Sequence, residues 1–252
     1  MYQMSLTKTF LPLIVVLFCL ITSCEDKQSQ KNKDTTTEMK TIEKDSTVAD
    51  STPKTIATKK DTTTIKQEED FKITNDNLVD FFTKYGKENP ETLVRIKTRL
   101  GNFDIQLFKE TPIHRANFIY LVKEKYFDET FFYRVSKGFV IQGGNSDRQE
   151  MAKKRFEIGD YSIPQEQIEG LRHDRGMVAL SKQWVDNPSN RSTPYEFFVV
   201  VSKNGAYHLD GEHTIFGKVV RGMDTVDKIS NVPVDGSEWP KENIFITAEV
   251  IR

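Results

Sequence analysis

The stretch FFYRVSKGFVIQGG, residues 131–144, reads as extended β structure: three aromatics, one arginine (Arg134), a second apolar run, then a Gly-Gly pair. A permanently charged guanidinium inside such a run is costly unless it has a partner or a task. Outward from it, VRIKT (94–98) and FDIQLF (103–108) flank Leu100-Gly101-Asn102, a hairpin signal, with Phe103, Ile105 and Leu107 alternating onto one face. GMVALS (176–181), EFFVVV (196–201), TIFGKVV (214–220) and NIFITAEVI (243–251) are further apolar runs. Two helical segments interrupt them. Thr111-Pro112 is a cap with proline at the first helical position, leading to Phe118, Leu121 and Val122. GMDTVDKIS (222–230) spaces Met223, Val226 and Ile229 three apart. Many short strands with two helices favour a closed barrel with helices over its ends, and a sandwich fits the pattern nearly as well.

Upstream the chain changes character. Residues 1–23 hold an uncharged run from Phe10 to Ile21, too short for a comfortable membrane span and suited to the core of a secretory signal. Ile21-Thr22-Ser23-Cys24 resembles the bacterial lipobox, which implies a lipidated Cys24 as the first residue of the mature protein. Cys19 lies in the segment to be removed, so disulfides and a cysteine nucleophile are excluded. Residues 24–70 are dominated by Thr, Ser, Lys, Asp, Glu and Gln and carry no apolar period, so they are expected to form a disordered tether with an r.m.s. reach of roughly 40 Å. Residues 71–92 are expected to supply a short packing helix: Thr74-Asn75-Asp76 as cap, Leu78, Val79, Phe81, Phe82 and Tyr85 as apolar stripe, Gly86 as terminator. The 36 basic and 37 acidic residues nearly cancel, so no nucleic-acid footprint is expected. A monomer is the default.

From 93 to 252 the sequence resembles the cyclophilin-type peptidyl-prolyl isomerases. The resemblance rests on TPIHRANF (111–118), FFYRVSKGFVIQGGN (131–145), RGMVALS (175–181), EFFVV (196–200) and HLDGEHTIFGKVVRGMDTVDKIS (208–230), in the family's order. It implies a mainly β fold, a closed eight-stranded antiparallel barrel capped by two helices. It also implies catalysis of X–Pro rotation in proline-containing polypeptides, with Arg134 as the catalytic arginine. Phe139, Val140, Phe198 and Leu209 would line the proline pocket, Gln142 would bond Arg134 or the substrate backbone, and His213 would close the far side. Amide rotation costs ~18–20 kcal/mol because resonance is lost. A donor aimed at the twisted amide binds that form better than either planar isomer, which lowers the barrier. No bond breaks, so no cofactor, metal or nucleophile is called for. His114 and His173 fit no ligand spacing and are expected at the surface.

Two residues depart from the family's pattern. Glu196 stands where glutamine is usual, and a carboxylate there is expected to pair with Arg134. His208 stands where members that bind cyclosporin tightly have tryptophan, which implies weak sensitivity to the drug. Both positions are grouped with the substrate-binding residues. Residues 151–170, with Tyr161-Ser162-Ile163-Pro164 resembling an extended stretch of bacterial members, and residues 182–195 are expected as loops flanking the groove. Together these readings describe a lipid-anchored isomerase assisting the folding of exported proteins at the cell envelope. The alternative is a proline-segment binding module with little catalysis.

Overall fold

The computed structural model describes residues 71–183 and 186–252; the expected signal segment, Cys24, the expected tether and Trp184 lie outside the described residues. The strands are β1 (Ile73–Thr74), β2 (Leu93–Thr98), β3 (Gly101–Leu107), β4 (Phe131–Ser136), β5 (Val140–Asn145), β6 (Gly159–Asp160), β7 (Met177–Lys182), β8 (Ser192–Val200), β9 (Ile215–Arg221), β10 (Ile244–Phe245) and β11 (Thr247–Val250). The helices are α1 (Leu78–Glu88), α2 (Pro112–Lys123), α3 (Gln149–Ile158) and α4 (Met223–Ser230).

Nine strands form one antiparallel sheet in the order β10-β4-β5-β8-β7-β9-β3-β2-β11. Its two ends come from one segment: β10 pairs with β4, β11 pairs with β2, and only Ile246 separates them. The Ile246 N–H donates to the Thr130 carbonyl at 3.0 Å, so residues 244–250 carry the sheet around on itself. Counted as one interrupted strand, this segment makes eight, and the nearly closed ring rules out the sandwich. Inside it Phe103, Phe118, Phe127, Phe132, Phe197 and Phe216 are all but inaccessible to solvent. At roughly 25 cal/mol per Å² of apolar area removed from water, such an interior dominates the stability of the domain.

Proline at the first turn starts α2 as expected, but Thr111 makes no cap. The Glu166 carboxylate accepts from the backbone N–H of Ile113 (3.1 Å) and of His114 (2.9 Å), placing a negative charge on the helix N-terminus from 52 residues away. α1 likewise departs from expectation. Its cap position is Asn77, whose side chain is used to accept from the Thr74 N–H, and the helix continues through Gly86 to Glu88. A Cβ at Gly86 would sit 3.1 Å from Ala116, so this glycine serves close approach of α1 to α2 rather than termination. The Arg115 guanidinium covers the end of α1, donating to the carbonyls of Gly86 and Asn89 at 2.9 Å each. Aromatic contacts complete the seam: Phe81, Phe82 and Tyr85 pack around Tyr120 at 5.3–6.0 Å.

The stretch 151–170 is not all loop. α3 occupies its first half, with Met151 and Ile158 buried, and β6 then pairs in parallel with β1. Its polar composition hides this helix, because Arg155 spends its charge inward. The Arg155 Nε donates to the Tyr126 hydroxyl at 2.8 Å.

Candidate active site

Arg134 owes its direction to a register shift. Phe132 lies opposite Gly143 and Arg134 opposite Gln142, so Tyr133 is an extra residue on β4. Such a bulge re-aims the side chains beside it. Phe132 and Val135 therefore turn into the barrel while Tyr133 and Arg134 both stay outside, which is how an apolar run accommodates a guanidinium. A second shift one step earlier makes Gly144 the extra residue on β5, at φ 97°. A Cβ there would meet the Tyr195 carbonyl at 2.2 Å, which accounts for the Gly-Gly pair.

The outer surfaces of β5, β7 and β8 form a second, smaller apolar cluster around Val140, Ala179, Phe198, Val200 and Leu209. Over it lies a cleft of about 400 Å³, lined by Arg134, Phe139, Val140, Gln142, Ser181, Lys182, Glu196, Phe198, His208, Leu209 and His213. It thus brings together all nine groove residues expected from the sequence. Ser181 and Lys182 are additions that no local signal marked. A larger cavity of about 710 Å³ lies beyond Glu196 and Lys182, but charged and polar side chains such as Arg155, Asp160, Asp186 and Arg191 wall it. Its lining also includes Phe156, Tyr161, Pro194 and Tyr195, but not Arg134.

Arg134 is held from two sides. Its Nε donates to Glu238 Oε2 at 2.8 Å, and its NH1 approaches Gln142 Oε1 at 3.5 Å. Gln142 in turn donates to the Ser181 hydroxyl at 2.8 Å. The rim is aromatic: His208 stacks on Phe139 with centroids 5.1 Å apart, and His213 meets Phe198 edge-on at 5.2 Å. The His213 Nδ1–H donates to the Leu180 carbonyl at 3.0 Å, and burial lowers its pKa to about 4, so the ring is neutral near pH 7. The pocket for the ring is therefore apolar and uncharged, and the charged groups of the lining are Arg134, Lys182 and Glu196.

Three expectations are corrected. Glu196 does not pair with Arg134. Its Oε2 accepts from the Tyr133 hydroxyl (2.8 Å), while Oε1 accepts from Asn145 Nδ2 (2.9 Å) and Arg155 NH2 (3.3 Å). The bulge sends Tyr133 and Arg134 to different neighbours, and α3 supplies the competing guanidinium. His114 is fully buried, with Nδ1 on Glu166 (2.6 Å) and Nε2 on the Ser192 hydroxyl (2.9 Å). His173 is buried behind Phe198, stacked on it at 6.1 Å, with Nδ1 on Asp210 at 2.7 Å. Both histidines brace the walls of the fold from within.

Fold and cleft together define a β-barrel with an apolar pocket on its outer face and a restrained N–H donor beside it. The profile of the family described as cyclophilin type peptidyl-prolyl cis-trans isomerase/CLD matches residues 93–250. A peptidyl-prolyl cis-trans isomerase of Acinetobacter baylyi is 37% identical over 169 residues, covering 64% of this chain and 86% of that protein. A peptidyl-prolyl cis-trans isomerase-like 2 of Rhizopus delemar is 35% identical over 164 residues, 64% of this chain but 29% of that longer protein. Among solved structures, a cyclophilin-type isomerase of Cryptosporidium parvum superposes with a TM-score of 0.55 at 28% identity, covering 64% of this chain and 98% of the other. The chain belongs to the cyclophilin-type peptidyl-prolyl cis-trans isomerases.

Proposed function

We propose that Arg134 is the group that accelerates prolyl rotation here. The observation that carries this reading is the guanidinium at the edge of the apolar cleft, restrained by Glu238 and Gln142. A proline ring seated against Phe139, Val140, Phe198 and Leu209 fixes one side of the X–Pro bond. As the amide twists, the nitrogen lone pair leaves conjugation and becomes an acceptor, and the arginine N–H groups not given to Glu238 are donors at the edge of the cleft. Each planar isomer lacks that acceptor, so binding strengthens only at the barrier. The C. parvum relative was crystallised in the presence of the dipeptide Ala-Pro, which supports a proline-containing peptide as ligand for this chain as well. The binding-module alternative drew on the expected pairing of Glu196 with Arg134, and that carboxylate bonds elsewhere.

In this proposal the domain acts at a bacterial cell envelope, tethered through residues 24–70 to a lipidated Cys24, and serves exported polypeptides as a monomer. The support is the lipobox-like Ile21-Thr22-Ser23-Cys24 and the polar composition that follows. In a short proline peptide, Arg134→Ala is expected to slow isomerisation by roughly 10²–10³-fold with little change in peptide affinity, the range for losing one preorganised donor. Unchanged turnover would refute the assignment. For the anchor, Cys24→Ser is expected to move the protein from the membrane to the soluble fraction of cells and to abolish labelling by a fatty-acid probe. Retention at the membrane would refute it.

A further inference from the structure

The loop between α4 and β10 is built around Asp235. Its Oδ1 accepts from the Ser237 N–H (2.8 Å), the Ser237 hydroxyl (2.7 Å) and the Trp239 N–H (3.0 Å). The Asp235 N–H donates back to the Trp239 carbonyl at 2.9 Å, and Val234 bridges to Pro240. This frame holds Glu238 at φ 65°, a left-handed conformation that a non-glycine residue adopts only when its surroundings impose it. What the strained residue gains is three consecutive partners on β4. Its carbonyl accepts from the Val135 N–H at 2.8 Å, its Oε1 from the Ser136 hydroxyl at 2.6 Å, and its Oε2 from Arg134 Nε at 2.8 Å. Trp239 adds ring contacts to Phe131 (5.4 Å) and Tyr133 (6.1 Å).

An ion pair between side chains nearly 40% exposed contributes little to stability, and a surface loop needs no strained residue to cover a strand. The pairing does, however, restrict one thing. With Nε–H taken by a carboxylate that the Ser136 hydroxyl also holds, on a residue whose backbone carbonyl is fixed by the Val135 N–H, the guanidinium plane is restrained and its remaining N–H groups are biased toward one orientation at the cleft. Preorganised donors lower a barrier because no reorientation is required as charge develops.

We propose that Glu238 is the positioning residue for Arg134, set by the Asp235 loop to aim the guanidinium at the twisting amide. This inference rests on Arg134 being the catalytic donor. The test measures turnover (kcat) and the dissociation constant of a short Ala-Pro-containing peptide for the full-length wild-type protein and for Glu238→Ala, Glu238→Gln, Ser136→Ala and Arg134→Ala. Glu238→Ala is expected to lower kcat about tenfold, the loss of one charge-assisted bond, while peptide affinity stays within about twofold. Glu238→Gln, which keeps an acceptor, recovers part of the loss, and Ser136→Ala reproduces a smaller one without touching either charge. The Arg134 Nε–H resonance is expected downfield in the wild type, because its acceptor is a carboxylate, and further upfield in Glu238→Gln. Should Glu238→Ala fail to fold, Glu238→Gln and Ser136→Ala carry the test. If all Glu238 and Ser136 variants turn over like wild type while Arg134→Ala is inactive, positioning by Glu238 is overturned and the role of Arg134 stands. If affinity falls as much as kcat, Glu238 only maintains the cleft, and the inference is likewise overturned. Should Arg134→Ala turn over like wild type, the reading of the site falls, and this inference with it.

Discussion

Phe197 and Phe198 are neighbours on β8 and point to opposite sides of one wall. Phe197 enters the barrel, where it meets Phe118, Phe127 and Phe132 at 5.6–5.9 Å and has no accessible surface. Phe198 faces out, floors the cleft and touches His173 and His213. The inner face closes on itself in this way along the whole ring. The outer face uses alternate residues of the same strands to build an apolar floor, then borders it with Arg134, Gln142, Ser181 and His213. One surface is completed by its own side chains, and the other is left with an open apolar cleft.

The comparison breaks most visibly at this pair. Phe197→Ala is expected to cost about 3–5 kcal/mol, because the vacated space cannot collapse inside a closed ring. Phe198→Ala should cost about 1–2 kcal/mol, since it enlarges a cleft already open to water, yet it should weaken peptide binding about tenfold. Chemical denaturation and peptide titration of both variants read the two quantities, and equal stability losses would erase the distinction. A second difference is that the outer face titrates. His213 has an ordinary pKa of 6.5 lowered to about 4 by burial, so in acid the unfolded chain takes up its proton before the folded one does. Stability is therefore full above about pH 6.5 and declines as pH falls towards 4, by on the order of 3 kcal/mol from this group. His213→Gln should flatten that slope in pH-dependent melting, leaving the part due to His173, whose pKa burial also lowers. The smallest effect is expected at Glu196. Its partners are Tyr133, Asn145 and Arg155 and not Arg134, so Glu196→Gln should change turnover by less than about twofold. A larger change in isomerisation rate would mean that the carboxylate reaches Arg134 after all.

Most strands of the large sheet were legible because they alternate or run apolar between turn residues, and the cleft because its residues match a family pattern in order; β1, β6 and the start of β8 at 192–195, where a loop was expected, were not. What escaped notice depends on partners far along the chain. His114 and His173 look like surface residues until Glu166 and Asp210, 52 and 37 positions away, each take the Nδ1 of a buried ring. Thr111 looks like the cap of α2 until that same Glu166 takes the position. α3 was hidden by its own composition, and Phe156 on its outer side is 73% exposed, so no clean apolar stripe marks it. Glu238 sits in a polar turn with no periodicity at all. Only the fold shows that it lies 104 positions from Arg134 and one hydrogen bond away.

The segment 244–250 has a bearing on how the domain is made. Because it pairs with β4 on one side and β2 on the other, every earlier strand can be in place while the ring still gapes. During synthesis this is the last stretch of the domain to emerge, and until it does two rows of unpaired backbone groups stand open to other chains. Closure links the latest-made residues to some of the earliest, a topology that folds slowly. An enzyme of X–Pro rotation thus has a vulnerable interval in its own folding, one that ends only when residues 244–250 pair on both sides.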